Sequence, residues 1–246
     1  MPEIKKILMT KNAKKFFVRD TNQDVHTQYG YIKKEDLSKS KDGEKLKSNT
    51  GDDFTVFSPF FSDLYRKIKR NAQIIPLKDL CFIIAETGIS GKSTLVDAGS
   101  GSGALACFLA NIAKKVTTYD IREDFIEVVK SNIKFLELKN ITIKNKDVYQ
   151  SIDEKNVDLI TLDVPEPWLA LDSCSKSLKP GGFLVSYSPS VPQVADFVNA
   201  VRKRNDFIHT KTSEIIEREW EVEDRKVRPK SISIGHSGFM SIVRKF

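Results

Sequence analysis

A glycine-rich loop near the middle of the chain has the residue types that hold a nucleotide-like cofactor. The loop consists of Asp97, Ala98, Gly99, Ser100, Gly101, Ser102 and Gly103. It lies between an apolar strand-like run and an apolar helix-like run, and its glycines let a ligand approach the amide groups at the helix start. The loop reads GxGxG after an acid, whereas a dinucleotide site reads GxGxxG. This spacing favours a nucleotide-like cofactor other than a dinucleotide. The alternatives are an NAD site and a turn that needs glycine only for its geometry.

Acidic residues follow the next three predicted strands, at the sheet edge where open α/β proteins bind ligands. Asp120 ends the second strand and is placed to accept hydrogen bonds from ribose hydroxyls. Asp147 follows the third strand and suits an adenine amino group, and Asp163 ends the fourth strand and suits the reacting centre. Each acid alone could be an ordinary turn residue. Together with the loop they form the pattern of S-adenosylmethionine-dependent methyltransferases, whose cofactor product is S-adenosylhomocysteine.

The segment after the fourth strand narrows the class of substrate. It consists of Asp163, Val164, Pro165, Glu166, Pro167 and Trp168. Two prolines fix a rigid, non-helical backbone beside the expected methyl group. Nucleobase methyltransferases often carry (D/N)PP(Y/F) here, where polar groups hold an exocyclic amine and the aromatic ring stacks on the base. We therefore expect Asp163 to be catalytic, and Trp168 either to stack on the substrate or to belong to the core.

At these motifs the sequence resembles the tRNA (adenine-N1-)-methyltransferases, which modify a T-loop adenosine at about positions 57 and 58 in their archaeal form. The family's loop is similar to (E/D)AG(T/S)GSG and its fourth-strand motif to DxPxPW. Its carboxyl end resembles RP followed by GH(T/S)G(F/Y), which residues 228–229 and 235–239 match. The likeness extends over nearly the whole chain. Asp97 and Asp120 stand where glutamate is common, and the order around Lys78 departs from the usual PKD, so no role is assigned to Lys78.

The resemblance implies an enzyme that transfers a methyl group from S-adenosylmethionine to N1 of a T-loop adenosine in tRNA, either at position 58 alone or at both 57 and 58. It implies tRNA as the partner, a homotetramer, and no metal. The cofactor-binding residues expected are Asp97, Gly99, Ser100, Gly101, Ser102, Gly103, Asp120, Asp147 and Gln73. The substrate-binding residues expected are Trp168, His236, Lys69 and Arg70, with a simple turn-filling role as the alternative for His236.

Two other functions compete with this interpretation. One is an S-adenosylmethionine-dependent methyltransferase of a small molecule or protein, which would share the glycine loop but would not account for the proline-rich motif. The other is a non-catalytic tRNA-binding subunit, which the eukaryotic branch of the family contains. The intact glycine loop and Asp163 argue against the second alternative.

The elements that must position these residues predict an α/β fold. From about residue 93, strands alternate with helices, which is typical of a Rossmann-like, doubly wound sheet of class I methyltransferases. Two long strand-like runs, 207–222 and 231–246, should pair as an antiparallel carboxyl-terminal edge. Residues 1–60 should form a small β-rich domain with RNA or oligomer contacts, including a strand within 26–32, and 61–246 the methyltransferase domain. A helix over 62–73 should carry four basic residues: Arg66, Lys67, Lys69 and Arg70.

Composition supports a globular chain with a polyanionic partner. The net charge is +7, and residues 1–80 hold 17 Lys and Arg against 11 Asp and Glu, so most of the excess lies in the first third. This asymmetry favours nucleic acid, with an ordinary lysine-rich surface as the alternative. No apolar run is long enough for a membrane span, and no signal peptide is recognisable. We expect Cys81, Cys107 and Cys174 to be buried free thiols in a reducing cytoplasm, and the scattered histidines to bind no metal.

Overall fold

The computed structural model describes residues 3–246, so residues 1 and 2 of the predicted N-terminal domain lie outside the described part. The chain divides into two compact units, one up to Ile68 and one spanning Lys69–Phe246. Each unit has its own hydrophobic core. The sequence-based domain boundary after residue 60 stays a prediction.

The first unit is built on a small antiparallel sheet. Its strands are β1 (Lys6–Met9), β2 (Lys15–Val18), β3 (Val25–Thr27), β4 (Gly30–Ile32), β5 (Lys45–Lys47) and β6 (Asp53–Phe57), and its helices are α1 (Lys34–Lys39) and α2 (Phe61–Tyr65). Four strands pair in the order β2-β1-β6-β5, and β3 and β4 form a separate hairpin. The core consists of Leu8, Val18, Ile32, Leu37, Phe54 and Val56.

Two sequence-based expectations for this region are wrong in detail. The strand expected within residues 26–32 is split by a turn, because the Thr27 hydroxyl binds the backbone of Tyr29 and Gly30 and Gly30 has a φ of +84°. The helix expected over 62–73 ends at Tyr65. Beyond it, the backbone amides of Lys69 and Asn71 donate to side chains of the second unit rather than to a preceding helical turn. Lys69 and Arg70 therefore lie in an irregular segment.

The second unit is a seven-stranded sheet with helices on both faces. Its strands are β7 (Thr94–Ala98), β8 (Lys115–Asp120), β9 (Ile141–Asn145), β10 (Val157–Leu162), β11 (Leu178–Ser188), β12 (Phe207–Ser213) and β15 (Phe239–Lys245), with a hairpin of β13 (Trp220–Glu223) and β14 (Lys226–Pro229) outside the sheet. Its helices are α3 (Leu77–Thr87), α4 (Ala104–Ala110), α5 (Glu123–Phe135), α6 (Leu171–Ser177), α7 (Val191–Arg202) and a 3₁₀ turn, Pro167–Ala170.

The order of the strands determines where a ligand can bind. The sheet runs β12-β15-β11-β10-β7-β8-β9, and β11, β10, β7, β8 and β9 are parallel. The chain order reverses beside β7, which has β8 on one side and β10 on the other. In open α/β sheets this reversal opens a crevice at the carboxyl ends of the strands. The predicted Rossmann-like class is confirmed.

The carboxyl-terminal region agrees with the prediction only in part. β15 pairs antiparallel with β11 and β12, as expected for the edge of the sheet. The strands within the predicted runs 207–222 and 231–246 are shorter than expected, namely β12 and β15, and residues 220–223 belong instead to the hairpin of β13 and β14. Asp224, at a φ of +51°, provides the tight turn between them, and Arg228 is paired with Glu221 at 2.9 Å across the hairpin.

The free cysteines differ in their surroundings. Cys107 and Cys174 are fully buried, as expected, whereas Cys81 is exposed. Cys81 lies on α3, whose buried face is formed by Asp79, Leu80 and Ile83, so the cysteine falls on the opposite side of the helix. Within residues 3–246, no helix has the length and apolar character needed to cross a membrane.

Candidate active site

The glycine loop turns sharply between β7 and α4 and touches the end of β10. Gly99, Gly101 and Gly103 have φ values of +87°, +50° and +72°, which other residues rarely adopt. A Cβ on Gly99 would overlap the carbonyl oxygen of Asp163, and the Asp163 amide donates to the Ala98 carbonyl oxygen at 2.8 Å. Gly99 is therefore required both for its conformation and for this close approach. The loop and Asp163 lie side by side.

Asp97 lies beneath the loop rather than at its surface. It is 1% exposed, and its two carboxylate oxygens accept hydrogen bonds from the Thr118 and Thr161 hydroxyls at 2.7 and 2.8 Å. Burial raises the pKa of Asp97, and the two hydroxyls act in the opposite direction. The Ser100 hydroxyl, 2.6 Å from that of Thr118, belongs to the same buried group. Asp97 thus ties the ends of β7, β8 and β10 together from below.

Asp120 binds the loop from the end of β8. Its carboxylate accepts hydrogen bonds from the Gly101 amide at 3.0 Å and from the Arg122 side chain at 3.2 Å. Arg122 in turn stacks on Phe125, with the guanidinium carbon 3.7 Å from the ring centroid. The carboxylate of Asp120 is consequently held against the backbone of the glycine loop.

Asn132 brings the irregular segment 69–73 to the same loop. This fully buried side chain of α5 accepts from the Lys69 amide at 2.8 Å and donates to the Lys69 and Ser102 carbonyl oxygens at 2.9 and 2.8 Å. The Ser102 hydroxyl accepts from the Asn71 amide at 2.9 Å. Lys69, Arg70 and Gln73 are exposed on this segment. Sequence reasoning missed Asn132, although an amide on the apolar face of a helix is a recognisable signal.

Asp147 follows β9, and its side chain stabilises the turn in which it lies. Its carboxylate accepts from the Tyr149 amide at 2.9 Å, and the Tyr149 hydroxyl accepts from the Glu166 amide at 3.1 Å. The half-buried Asp147 is therefore connected, through Tyr149, to the proline-rich segment that follows β10.

Asp163 differs from the other acids because its carboxylate is exposed and has no hydrogen-bond or ion-pair partner within residues 3–246. Partial desolvation of the carboxyl group by neighbouring protein atoms, together with the negative charge of Asp97, raises the pKa of Asp163 to about 7. A carboxyl group with such a pKa changes its charge near neutral pH, which is typical of functional sites.

Trp168 and His236 have different surroundings. Trp168 packs on the core cluster and lines a cavity of about 590 Å³ with side chains of α6 and α7, which favours its core role. His236 faces the Glu214 carboxylate at 2.6 Å and the Pro189 carbonyl oxygen at 2.9 Å. These two acceptors raise the pKa of His236. Because Pro189 directly follows β11, His236 lies near the carboxyl end of that strand.

Comparison with known proteins identifies the family. Residues 64–239 match the family model of the tRNA methyltransferase complex GCD14 subunit. The chain belongs to this family. The sequence-based resemblance to tRNA methyltransferases is thereby confirmed. The residues that match the GCD14 family model include the glycine loop, the acids and the proline-rich segment.

Individual relatives and solved structures resemble this GCD14-family chain over nearly its whole length. The tRNA (adenine(57)-N(1)/adenine(58)-N(1))-methyltransferase TrmI of Methanocaldococcus jannaschii is 34% identical, over 97% of this chain and 94% of the relative. A crystal structure of the tRNA (m1A58) methyltransferase TrmI of Aquifex aeolicus has a TM-score of 0.83 at 25% identity, covering 100% and 98% of the two chains. A crystal structure described as an S-adenosylmethionine-dependent O-methyltransferase of Thermotoga maritima has a TM-score of 0.88 at 28% identity, covering 100% and 94%.

The structure of this GCD14-family chain also contains polar groups near Asp163 that sequence reasoning left without a role. Lys78 and Asp79, at the start of α3, form a buried ion pair at 2.7 Å. Ser237 and Tyr187 bind the same Asp79 carboxylate. The sequence contained one signal of this pair, a lysine and an acid at the start of an apolar helix. Because neighbouring charges at a helix start are ordinarily solvated, that signal did not indicate a buried ion pair.

Proposed function

We propose that the protein transfers a methyl group from S-adenosylmethionine to N1 of a T-loop adenosine in tRNA, either at position 58 alone or at both 57 and 58. The observation that carries the proposal is the placement of Asp163. Its side chain is exposed and has no hydrogen-bond or ion-pair partner within residues 3–246, and its backbone packs directly on Gly99 of the glycine loop, at the carboxyl end of β10. This is where a flipped base and the transferable methyl group would have to meet.

The residues of the loop fit the proposed cofactor. A Cβ on Gly101 would make ordinary van der Waals contact with the Ala72 side chain at 3.7 Å, so the segment 69–73 passes beside this part of the loop. Asp120, held 3.0 Å from the Gly101 amide, would accept hydrogen bonds from the ribose hydroxyls, and Asp147 one from the adenine amino group. Gln73 would contact the cofactor from the neighbouring segment. Asp97, which is buried, would act by holding the strand ends in place.

The proposed mechanism needs no strong base. Adenine N1 carries a free lone pair at neutral pH, and bound S-adenosylmethionine supplies an electrophilic methyl group. Asp163 would accept a hydrogen bond from the adenine N6 amine and so orient N1 along the line of attack. As positive charge develops on the ring, an ionised carboxylate at this point would stabilise the transition state more than the bound substrate.

The exposed basic side chains near the loop support the proposed tRNA partner. Lys69 and Arg70 are exposed, and their segment is fixed to the loop through Asn132. Phosphates that flank the flipped adenosine would bind there. A homotetramer, implied by the family resemblance, and a cytoplasmic location, expected from the free cysteines, belong to this proposal.

One observation favours a second candidate. The Thermotoga maritima structure, which resembles this chain over its whole length, is described as an O-methyltransferase. An oxygen acceptor on a small molecule or protein is therefore the alternative.

Mass spectrometry of nucleosides separates the two candidates. The protein is incubated with unmodified tRNA and isotopically labelled S-adenosylmethionine, and the tRNA is then digested to nucleosides. We expect labelled 1-methyladenosine. Calorimetric titration with S-adenosylmethionine serves as the control, because a non-catalytic subunit would not bind the cofactor. Cofactor binding without any labelled nucleoside would refute the tRNA assignment and favour the alternative.

A further inference from the structure

A buried network of charged and hydroxyl groups joins the start of α3 to the chain before β15. Asp79 is fully buried, the Lys78 side chain is 8% exposed, and the Nζ–Oδ1 distance between them is 2.7 Å. The Lys78 ammonium also donates to the Ile215 carbonyl oxygen at 2.6 Å and to the Ser237 hydroxyl at 2.5 Å. Each of its three hydrogen-bond donors therefore has an acceptor, and the Lys78 ammonium is fully satisfied.

The second oxygen of Asp79 accepts hydrogen bonds from two hydroxyl groups. Ser237 donates to it at 2.7 Å and Tyr187 at 3.3 Å. A Cβ on Gly238 would overlap the Tyr187 ring, so the backbone after Ser237 packs directly on that ring. Asp79 thus links Tyr187 of β11 to Ser237 in the segment that precedes β15.

Tyr187 occupies the position of β11 that neighbours Asp163, the first residue after β10. β10 and β11 are parallel, and Leu162 pairs with Ser186 at the end of the ladder. The next residues along the two strands are Asp163 and Tyr187, which consequently occupy neighbouring positions on the same face of the sheet. Burial raises the pKa of Tyr187, and the negative charges of Asp79 and Asp163 add to this effect. The network is therefore adjacent to the candidate catalytic carboxylate.

We propose that Lys78 and Asp79 are positioning residues, which act through Ser237 and Tyr187 to hold in place the wall of the site beside Asp163. The inference rests on the function proposed above, because it concerns the surroundings of the carboxylate to which that function assigns the chemistry. Burying an ion pair costs desolvation free energy that apolar packing of similar size does not. What the pair provides instead is hydrogen bonds of defined direction to two hydroxyls.

The decisive variant is Ser237→Ala. It removes the hydroxyl that bridges Lys78 and Asp79 but leaves their ion pair in place, so the buried charges stay compensated. Asp79→Asn is the stronger perturbation, but it leaves the Lys78 charge buried without a counter-charge and lowers stability. Ser177→Ala is the matched control, because Ser177 is fully buried on α6 and its hydroxyl has no partner within residues 3–246.

The first measurement is an NMR titration of the ¹³C-labelled Asp163 carboxyl group, assigned with Asp163→Asn, in protein without substrates. When the wall loosens, the Asp163 carboxyl group loses part of its desolvation by neighbouring protein atoms, and its titration midpoint falls. We expect the midpoint, about 7 in the wild type, to fall by roughly half a pH unit or more in Ser237→Ala. Ser177→Ala should titrate as the wild type does.

The second measurement is single-turnover methyl transfer to tRNA with both ligands saturating. Ser237→Ala should react on the order of 10-fold to 100-fold more slowly, as expected for a misplaced site, while its affinity for S-adenosylmethionine stays that of the wild type. A folded Ser237→Ala protein with the wild-type midpoint and rate would overturn the proposal. If the wild type transfers no methyl group to tRNA, the proposed function fails, and the NMR midpoint alone decides the positioning role.

Discussion

The raised pKa of Asp163 predicts that methyl transfer accelerates as the pH rises through neutrality. With a pKa of about 7, the ionised fraction of this carboxyl group is about one tenth at pH 6 and about nine tenths at pH 8. Only the ionised form stabilises the positive charge that develops on adenine. The single-turnover rate constant, measured with both ligands saturating, should therefore rise about tenfold between these pH values. An ordinary, solvated aspartate would give a flat profile over the same range.

Two variants test the cause of this profile. Asp163→Asn should react on the order of 10²-fold to 10³-fold more slowly and lose the pH dependence. Asp97→Asn removes the negative charge that contributes to the raised pKa of Asp163, so the midpoint of the profile should move to lower pH. A wild-type rate constant that is independent of pH between 6 and 8, or a sloping profile that persists in Asp163→Asn, would refute this reasoning.

The same pKa predicts a change in stability that needs no substrate. The pKa of Asp163 is raised in the folded state above its ordinary value of 3.8, so the folded state binds the proton more tightly than the unfolded state. The wild type should lose stability relative to Asp163→Asn as the pH rises from about 4 to about 7, with no further loss above that range. Denaturant unfolding of the two proteins at a series of pH values measures this difference.

Three further outcomes are expected. Asp120→Ala should weaken S-adenosylmethionine binding by about 1–3 kcal/mol through lost ribose hydrogen bonds, and unchanged affinity by calorimetry would remove it from the site. Gly99→Ala should unfold at a lower denaturant concentration than Gly88→Ala, since both have positive φ but only the first meets a neighbouring carbonyl group, and equal midpoints would contradict the close approach. Lys69→Gln should reduce the slope of log tRNA affinity against log salt concentration by about one unit. Lys92→Gln, which lies before β7 at the opposite edge of the sheet, should leave this slope unchanged. Equal slopes in the two variants would exclude Lys69 from the RNA contact.

The sheet and its strand-end acids could be predicted because both follow from local patterns. Alternating strands and helices imply a parallel order, and parallel strands place their carboxyl ends at one edge. The glycine loop and Asp163 could therefore be expected on the same side of the sheet. Their direct contact could not, since the overlap between a Cβ on Gly99 and the Asp163 carbonyl oxygen depends on the packing of two strands distant in sequence.

The parts that sequence reasoning missed depend on contacts between distant residues. Residues 62–73 have a helical pattern, but the Lys69 and Asn71 amides find acceptors on Asn132 and Ser102, so the helix ends early. The 207–222 run has a strand-like composition throughout, yet its second half pairs locally around Asp224. In both regions local propensity was overridden by hydrogen bonds that only the folded chain provides.

The burial of Asp97 shows a limit of a different kind. Its position before the glycine loop predicts a role at the cofactor site, and sequence alone cannot distinguish a direct ligand from a support. The hydroxyls of Thr118 and Thr161, on two neighbouring strands, occupy its carboxylate. Its proposed contribution is thus indirect, whereas the contacts proposed for Asp120 and Asp163 are direct.

The central claim, methyl transfer to adenine N1 by a site built around Asp163, is tested most directly by changing one atom of the substrate. Two tRNAs are prepared that differ only at position 58, one with adenosine and one with 1-deazaadenosine, which has carbon in place of N1. Labelled methyl transfer is then measured at saturating S-adenosylmethionine, with position 57 occupied by a non-adenosine nucleotide in both. The account predicts transfer to the adenosine tRNA and none to the deaza tRNA, although both bind. Equal labelling of the two tRNAs would contradict it.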